Sequence, residues 1–155
     1  MERIVLYDHS LKKSVFEFTE KCFLELEKSF ESEGRHSFYN SIEKEFDGFW
    51  CLLTEDRVIG TVAVKQIDSI TAELKALYLS TDFRGKGLGY KLLDQAVKFA
   101  RAKGYQRVVL DSMSAYIDAF RLYEKYGFKT IERYNDNPYA DVFMCLDLMG
   151  AAEGE

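Results

Sequence analysis

Apolar residues recur along the chain with two periods, and the switches between them divide it into elements. Leu11, Val15, Phe18, Cys22, Leu26 and Phe30 stand three to four positions apart, which predicts an amphipathic helix that breaks around Gly34. A strand is expected before it, at Arg3 to Tyr7, and a short second helix after it, from about Ser37 to Phe46. Strands then follow at Phe49 to Thr54 and Val58 to Gln66, joined by a Glu55-Asp56 turn, and at Ile70 to Leu79, which ends in the polar cluster Ser80-Thr81-Asp82. Leu88, Leu92, Leu93, Ala96, Val97 and Ala100 share one face of the next helix, and Gly104 has the position of its C-terminal cap. Val108-Val109-Leu110 reads as a short buried strand. A helix over about Ala115 to Tyr126 stops at Gly127, and Phe128 to Tyr134 and Ala140 to Leu148 make two closing strands. The order β-α-α-β-β-β-α-β-α-β-β is that of an α/β (α+β) fold, a mixed central sheet flanked by helices.

Composition narrows this to one domain. The chain has 155 residues, 47% of them apolar and 15% aromatic, which is enough for one continuous core. Its one proline, Pro138, and the lack of any Pro/Gly/Ser linker give no second boundary, so residues 1–149 are read as the domain and 150–155 as a polar tail. No run approaches the roughly 18 apolar residues of a membrane span, and the start lacks the apolar core of a signal peptide; a cytoplasmic protein with no membrane partner is expected. Cys22, Cys51 and Cys145 lie far apart with no C-x-x-C pair, and the histidines are only His9 and His36, so no metal is expected and the cysteines read as reduced and mostly buried.

The net charge of −5 argues against nucleic acid as a partner. Its distribution is uneven. Between Arg84 and Arg107 seven basic residues (Arg84, Lys86, Lys91, Lys98, Arg101, Lys103, Arg107) face one acid, Asp94, a local +6 that leaves −11 for the rest. Such an island fits either a small polyanion held at one place or a solvated helix face.

Within the island, Arg84-Gly85-Lys86-Gly87-Leu88-Gly89 sits between a strand and a helix, where free backbone N–H groups and the positive end of the helix dipole meet a phosphate. Glycine allows both close approach and φ > 0 there. The spacing G-x-G-x-G matches neither the dinucleotide pattern G-x-G-x-x-G nor the Walker pattern, since Lys86 is followed by glycine, which disfavours a nicotinamide enzyme or an NTPase.

The flanks of this loop carry a family resemblance. Glu73-Leu74-Lys75-Ala76-Leu77-Tyr78-Leu79, four linking residues and then Arg84 to Gly89 closely resemble the acetyl-CoA motif of the GNAT superfamily, and Ala119-Phe120-Arg121-Leu122-Tyr123-Glu124-Lys125-Tyr126-Gly127-Phe128 is similar to its "A-x-x-L-Y-x-x-x-G-F" signature. Asn137-Pro138-Tyr139 is similar to a subgroup of small bacterial-type members. The resemblance implies an acetyl-CoA-dependent N-acetyltransferase acting on a primary amine of a small molecule or peptide by direct attack. It implies that the amides of Arg84, Gly85, Lys86, Gly87, Leu88 and Gly89 hold the CoA pyrophosphate. Leu77, Tyr78 and Leu79 would pair with the pantetheine arm, and a bulge near Leu77 would turn one N–H toward the thioester carbonyl.

The same resemblance makes Glu73 the general base, acting through water, and Tyr123 the group whose hydroxyl meets the leaving thiolate. The chain departs from the family at Thr81, where many members have proline, and at Asp111-Ser112-Met113-Ser114, where many have asparagine; Ser112 is taken as the cofactor contact there. Cys51 or Cys145 as an acetyl carrier is less favoured, because neither has a nearby His or a helix start. The alternative of a different class is a non-catalytic acyl-CoA-binding sensor, against which Glu73 and Tyr123 argue. His36, Phe38, Tyr39, Trp50 and Tyr134 lie in segments expected to border the acceptor site, as rim or packing residues. Because Glu17 to Asp47 holds nine acids and four bases, a cationic amine is the favoured acceptor. A homodimer is left open.

Overall fold

The computed structural model describes residues 1–149, so the tail expected at 150–155 lies outside the described residues. The elements are β1 (Glu2–Leu6), α1 (Lys12–Glu25), α2 (Ile42–Glu45), β2 (Gly48–Thr54), β3 (Arg57–Gln66), β4 (Thr71–Leu79), α3 (Leu88–Ala102), β5 (Arg107–Ser112), α4 (Ile117–Tyr126), β6 (Lys129–Thr130) and β7 (Val142–Asp147). The strands form one seven-stranded sheet in the order β1-β2-β3-β4-β5-β7-β6. All neighbours are antiparallel except β4 and β5, whose parallel pairing is made possible by the crossover helix α3.

Strand alternation divides the sheet residues between two cores. Trp50, Leu52, Val62, Val64 and Leu74 pack with Leu88, Leu92, Leu93, Ala96, Val97 and Ala100 of α3 and with Tyr123 of α4. Phe49, Cys51, Leu53 and Ala63 face the other way, onto Val15, Phe18 and Cys22 of α1 and Ile42 of α2. All six residues of the predicted α3 face are buried, and each leucine among them stabilises the fold by about 1.5–3 kcal/mol through burial. The Glu55-Asp56 turn is present as well, with both residues at positive φ (49° and 66°), as a two-residue hairpin with right-twisting strands requires.

Three boundaries differ from expectation. The first helix ends at Glu25 and not near Phe30: Glu27 takes a left-handed φ of 59°, and the N–H groups of Glu27 and Lys28 donate to the carbonyls of Leu24 and Phe23 at 3.1 and 2.7 Å, closing a Schellman cap. The second helix is a 3-10 segment, Ser37–Ser41, followed by the single turn α2. The strand expected over Phe128 to Tyr134 is paired only at Lys129–Thr130, and Ile131 adds one further backbone bond to Phe143. From there the chain becomes a loop held by side chains: the Arg133 guanidinium donates to the carbonyls of Asn137 and Ala140 at 3.0 Å each, and Asn135 donates to the Asp111 carboxylate at 2.7 Å. These bonds satisfy carbonyls that a strand ladder would otherwise take.

Candidate active site

The site is built where β4 and β5 part. They pair at Thr71–Arg107, Ala72–Val108 and Glu73–Val109 and no further; β4 then stays with β3 as far as Leu79, while β5 stays with β7 as far as Ser112. Beyond Glu73 the β5-facing backbone of β4 therefore meets no strand, which leaves N–H and C=O groups for an extended, amide-bearing ligand. Leu77, Tyr78 and Leu79 lie on this stretch, and Ser112 ends the opposite arm.

The bulge expected near Leu77 is there. Thr61 pairs with Tyr78 and Ala63 with Lys75, so Val62 alone opposes both Ala76 and Leu77. Ala76 is left-handed at φ 54°, and the buried Thr61 hydroxyl donates to its carbonyl at 2.7 Å, fixing the distortion. A residue with a Cβ in that region is strained by about 1–2 kcal/mol. It turns the backbone of β4 at the mouth of the fork.

At the end of β4 the chain makes a 3-10 turn, Thr81–Phe83, and then the glycine loop. Gly85 and Gly87 have φ of 81° and 76°, and a Cβ built on either meets nothing within 4 Å. Their conformation and the open space beside them are what a backbone phosphate cradle needs. Gly87 caps α3 without a side chain, and the first helical bond runs from Lys91 N–H to its carbonyl, so the amides of Leu88, Gly89 and Tyr90 point out of the helix end unused by it. Gly89 has a different reason: its Cβ would stand 3.4 Å from Leu122 of α4.

The basic island divides in two. Arg84, Lys86 and Lys91 are exposed around this loop, but twelve residues of helix, roughly 18 Å, separate Lys91 from Lys103. At the far part Lys98 pairs with Asp94 at 2.9 Å and Lys103 lies over Phe99. Half of the charge excess lies on the later turns of α3 and at the start of β5.

Glu73 stands at the last paired residue of the fork, on the α1/α2 side of the sheet. It is 6% exposed. Its two oxygens are held separately: Lys75 lies 3.3 Å from one, and the Tyr134 hydroxyl donates to the other at 2.5 Å. Tyr134 arrives on the Arg133-braced loop, and burial first, then this bond to Glu73, push its phenol far up, so it remains a donor at all ordinary pH. Tyr123, on α4, is 7% exposed and packs on Phe128; burial and then the charge of Asp111 push its phenol well up too, which keeps its proton in place.

The segment after α1 roofs this face. Phe23, Phe30, His36, Phe38 and Tyr39 interlock mostly edge to face, Phe23 reaches Tyr78 of β4 at 5.2 Å, and the Arg35 guanidinium stacks 4.3 Å over Tyr139 of the β6–β7 loop. His36 accepts the Glu31 N–H through Nδ1 at 3.0 Å, and burial followed by Arg35 and Lys28 lowers its pKa, so it serves as a neutral brace. Trp50 is turned to the other core, against Phe99 at 4.9 Å, and does not border the acceptor side. All nine acids between Glu17 and Asp47 are exposed, whereas Lys28 is half-buried under the roof. The acids that favoured a cationic acceptor are thus all solvent-accessible. Burial raises the thiols of Cys22 and Cys51 to about 11 and about 12, which keeps them protonated. Among the described residues no cluster of His, Cys, Asp and Glu is placed to hold a metal, and no helix is long and apolar enough to cross a membrane.

The acetyltransferase (GNAT) family model matches residues 12–128. Human N-acetyltransferase 8B is 38% identical over 86 residues, covering 52% of this chain and 38% of its own. The chain spans less than half the length of the first curated relatives it matches, 47% and 38%. A GNAT-family acetyltransferase from Staphylococcus aureus Mu50 superposes with a TM-score of 0.87 at 19% identity over 96% of this chain and 99% of the other, and the yncA acetyltransferase of Salmonella typhimurium, solved with acetyl-CoA, with 0.74 at 21% over 96% and 94%. At these identities the likeness is one of fold.

Proposed function

We propose, from the premise that this chain belongs to the acetyltransferase (GNAT) family, that it is an N-acetyltransferase which moves the acetyl group of acetyl-CoA to a primary amine of a small molecule or peptide by direct attack. The observation that carries this reading is the fork itself: a bulged, unpaired β4 edge runs straight into a side-chain-free helix N-terminus, with Glu73 at the fork's closed end and Tyr123 on the helix beside it. The fit to acetyl-CoA rests on that geometry. Leu77, Tyr78 and Leu79 supply amide groups to the pantetheine, Arg84 to Gly89 supply N–H groups and charge to the pyrophosphate, and Ser112 lines the opposite arm. Acetyl-CoA supplies an acetyl thioester whose carbonyl is open to attack.

The chain's residues divide the proton traffic. A protonated alkyl amine, with a pKa of about 10, must lose a proton before its nitrogen can form the new C–N bond. Glu73 takes that proton, directly or through water, and Lys75 and Tyr134 hold the carboxylate in place. Leu77 N–H at the bulge stabilises the charge that develops on the carbonyl oxygen. As the C–S bond breaks, the Tyr123 hydroxyl gives a proton to the sulfur. Its buried, raised phenol is the form an acid needs, and the protonated cysteines leave direct attack as the simpler route. A sensor that binds acyl-CoA without turnover would have no use for the Glu73–Tyr134–Lys75 arrangement.

Thiol release from acetyl-CoA in the presence of a panel of amines tests the proposal. Turnover with at least one primary amine is expected. Binding of acetyl-CoA without turnover of any amine would favour the sensor.

A further inference from the structure

Lys28 is placed by backbone geometry rather than by chance of a surface side chain. The Schellman cap of α1 puts it two residues beyond the cap residue Leu26, folded back over Phe23, the third residue from the helix end. This requires Glu27, a residue with a Cβ, to hold φ 59°. The Lys28 ammonium then lies 4.3 Å from the Phe23 ring centroid, 5.7 Å from that of Tyr78 and 5.9 Å from that of Tyr116. Tyr78 belongs to β4 and Tyr116 precedes α4 on the β5 side, so this cation stands across the mouth of the fork.

Three rings give it attraction but no counter-charge. Among the described residues Lys28 forms no ion pair, while Lys75, Lys65, Lys98, Arg3 and Arg35 each have a carboxylate within 4 Å. Burial, and then Arg35, lower its pKa, as expected of an ammonium drawn from water without an acid beside it. An uncompensated, half-buried charge is costly, and it is stabilised by an anion that enters the site. Glu73, the sole buried carboxylate among the described residues, lies on the same sheet face and is already held by Lys75 and Tyr134.

We propose that the acceptor amine also carries a carboxylate or comparable anion, as an amino acid does, and that the Lys28 ammonium binds this anion while Glu73 serves the amine. The proposal rests on the transferase reading above. It reverses the preference for a cationic amine drawn from the charge count, because the acids of that segment are exposed while Lys28 is half-buried beside the fork.

The test is thiol release from acetyl-CoA with the proteinogenic amino acids, the matching amino-acid carboxamides, and spermidine. Wild-type protein is expected to prefer at least one acid over its carboxamide by about 10- to 100-fold in kcat/KM, the value of one charge-assisted contact. Lys28→Met should bring that acid down to the level of its amide, with the amide rate and the KM for acetyl-CoA unchanged, and Lys28→Arg should restore part of the preference. The acid-to-amide ratio is taken within one sample, so a partly unfolded variant does not alter it. The proposal is overturned if acids and amides are used equally, if only spermidine or the amides are acetylated, if Lys28→Met lowers both members of a pair alike, or if its KM for acetyl-CoA rises. A wild-type protein that releases thiol with no amine at all removes the transferase reading, and this one with it.

Discussion

Replacing Gly87 separates backbone strain from phosphate binding, because the two effects appear in different measurements. Gly87 holds φ 76° and ψ 8°, and its Cβ would meet no atom within 4 Å. Gly87→Val therefore costs folding stability only through its conformation, about 2 kcal/mol or more because valine is β-branched, which for a chain of this size lowers Tm by roughly 4–8 °C or more without ligand. That strain is present with and without acetyl-CoA, so it cancels from the ligand-induced shift. A ligand that binds only the folded state at 100 times its Kd adds about 2.7 kcal/mol, or roughly 5–11 °C in the wild type.

The isopropyl group introduced by Gly87→Val would occupy the open space at the end of α3, and the shift is expected to vanish. Gly87→Asn, whose residue tolerates the left-handed region, should recover most of the ligand-free Tm but little of the shift. Lys103→Gln, a helix length away, should change neither. Differential scanning fluorimetry with and without acetyl-CoA, checked by calorimetric titration, reads both quantities. A Gly87→Val protein that keeps the full shift would refute the placement of the phosphate at this helix start.

The catalytic assignments are tested by kinetics on whichever amine is turned over. Tyr123→Phe should lower kcat by roughly 10²-fold with the acetyl-CoA thermal shift intact, as for a lost general acid, and an unchanged kcat with chemistry rate-limiting would remove the residue from the mechanism. Tyr134→Phe deletes one charge-assisted bond to Glu73, worth about 1.5 kcal/mol or more, and should cost kcat roughly tenfold. Glu73→Gln should cost more than Tyr134→Phe; the reverse order would mean that the phenol, not the carboxylate, handles the proton.

Local patterns in the sequence were enough for the sheet order's ingredients, the α3 face and the glycine loop, since each is written within about ten residues. What they could not carry was any feature made by distant residues. Tyr134 reaches Glu73 across 61 positions, and it does so only because Arg133 turns an apolar stretch with strand character into a loop. The signal available was Asn135-Asp136-Asn137-Pro138, a turn-forming cluster that follows the tyrosine directly. The early end of α1 was hidden because its left-handed cap residue is Glu27, where a glycine was expected and the nearest one is Gly34. Charge counts are coarse for a related reason. A sum over a segment ignores burial, and so it weighed nine exposed acids equally with the half-buried Lys28.

Apart from the Glu55-Asp56 hairpin, the described residues other than glycine with positive φ are Glu27 and Ala76, and both adjoin the fork. Strain that the rest of the fold sustains at two such places has a structural use: Glu27 seats Lys28, and Ala76 turns β4 as it leaves β5. If the left-handed backbone at Ala76 is what keeps the fork open, relieving and forbidding that conformation should have opposite consequences. Ala76→Gly removes the Cβ penalty of about 1–2 kcal/mol and gives back about 0.5–1 kcal/mol in unfolded-chain entropy, so Tm should stay level or rise by up to about 6 °C with kcat retained. Ala76→Val cannot hold φ 54° without greater strain. It should either lower Tm markedly or flatten the bulge, and in the second case acetyl-CoA binding is lost although the protein remains folded. An Ala76→Val protein with wild-type Tm and wild-type affinity for acetyl-CoA would show that the bulge does not control the opening between the two strands.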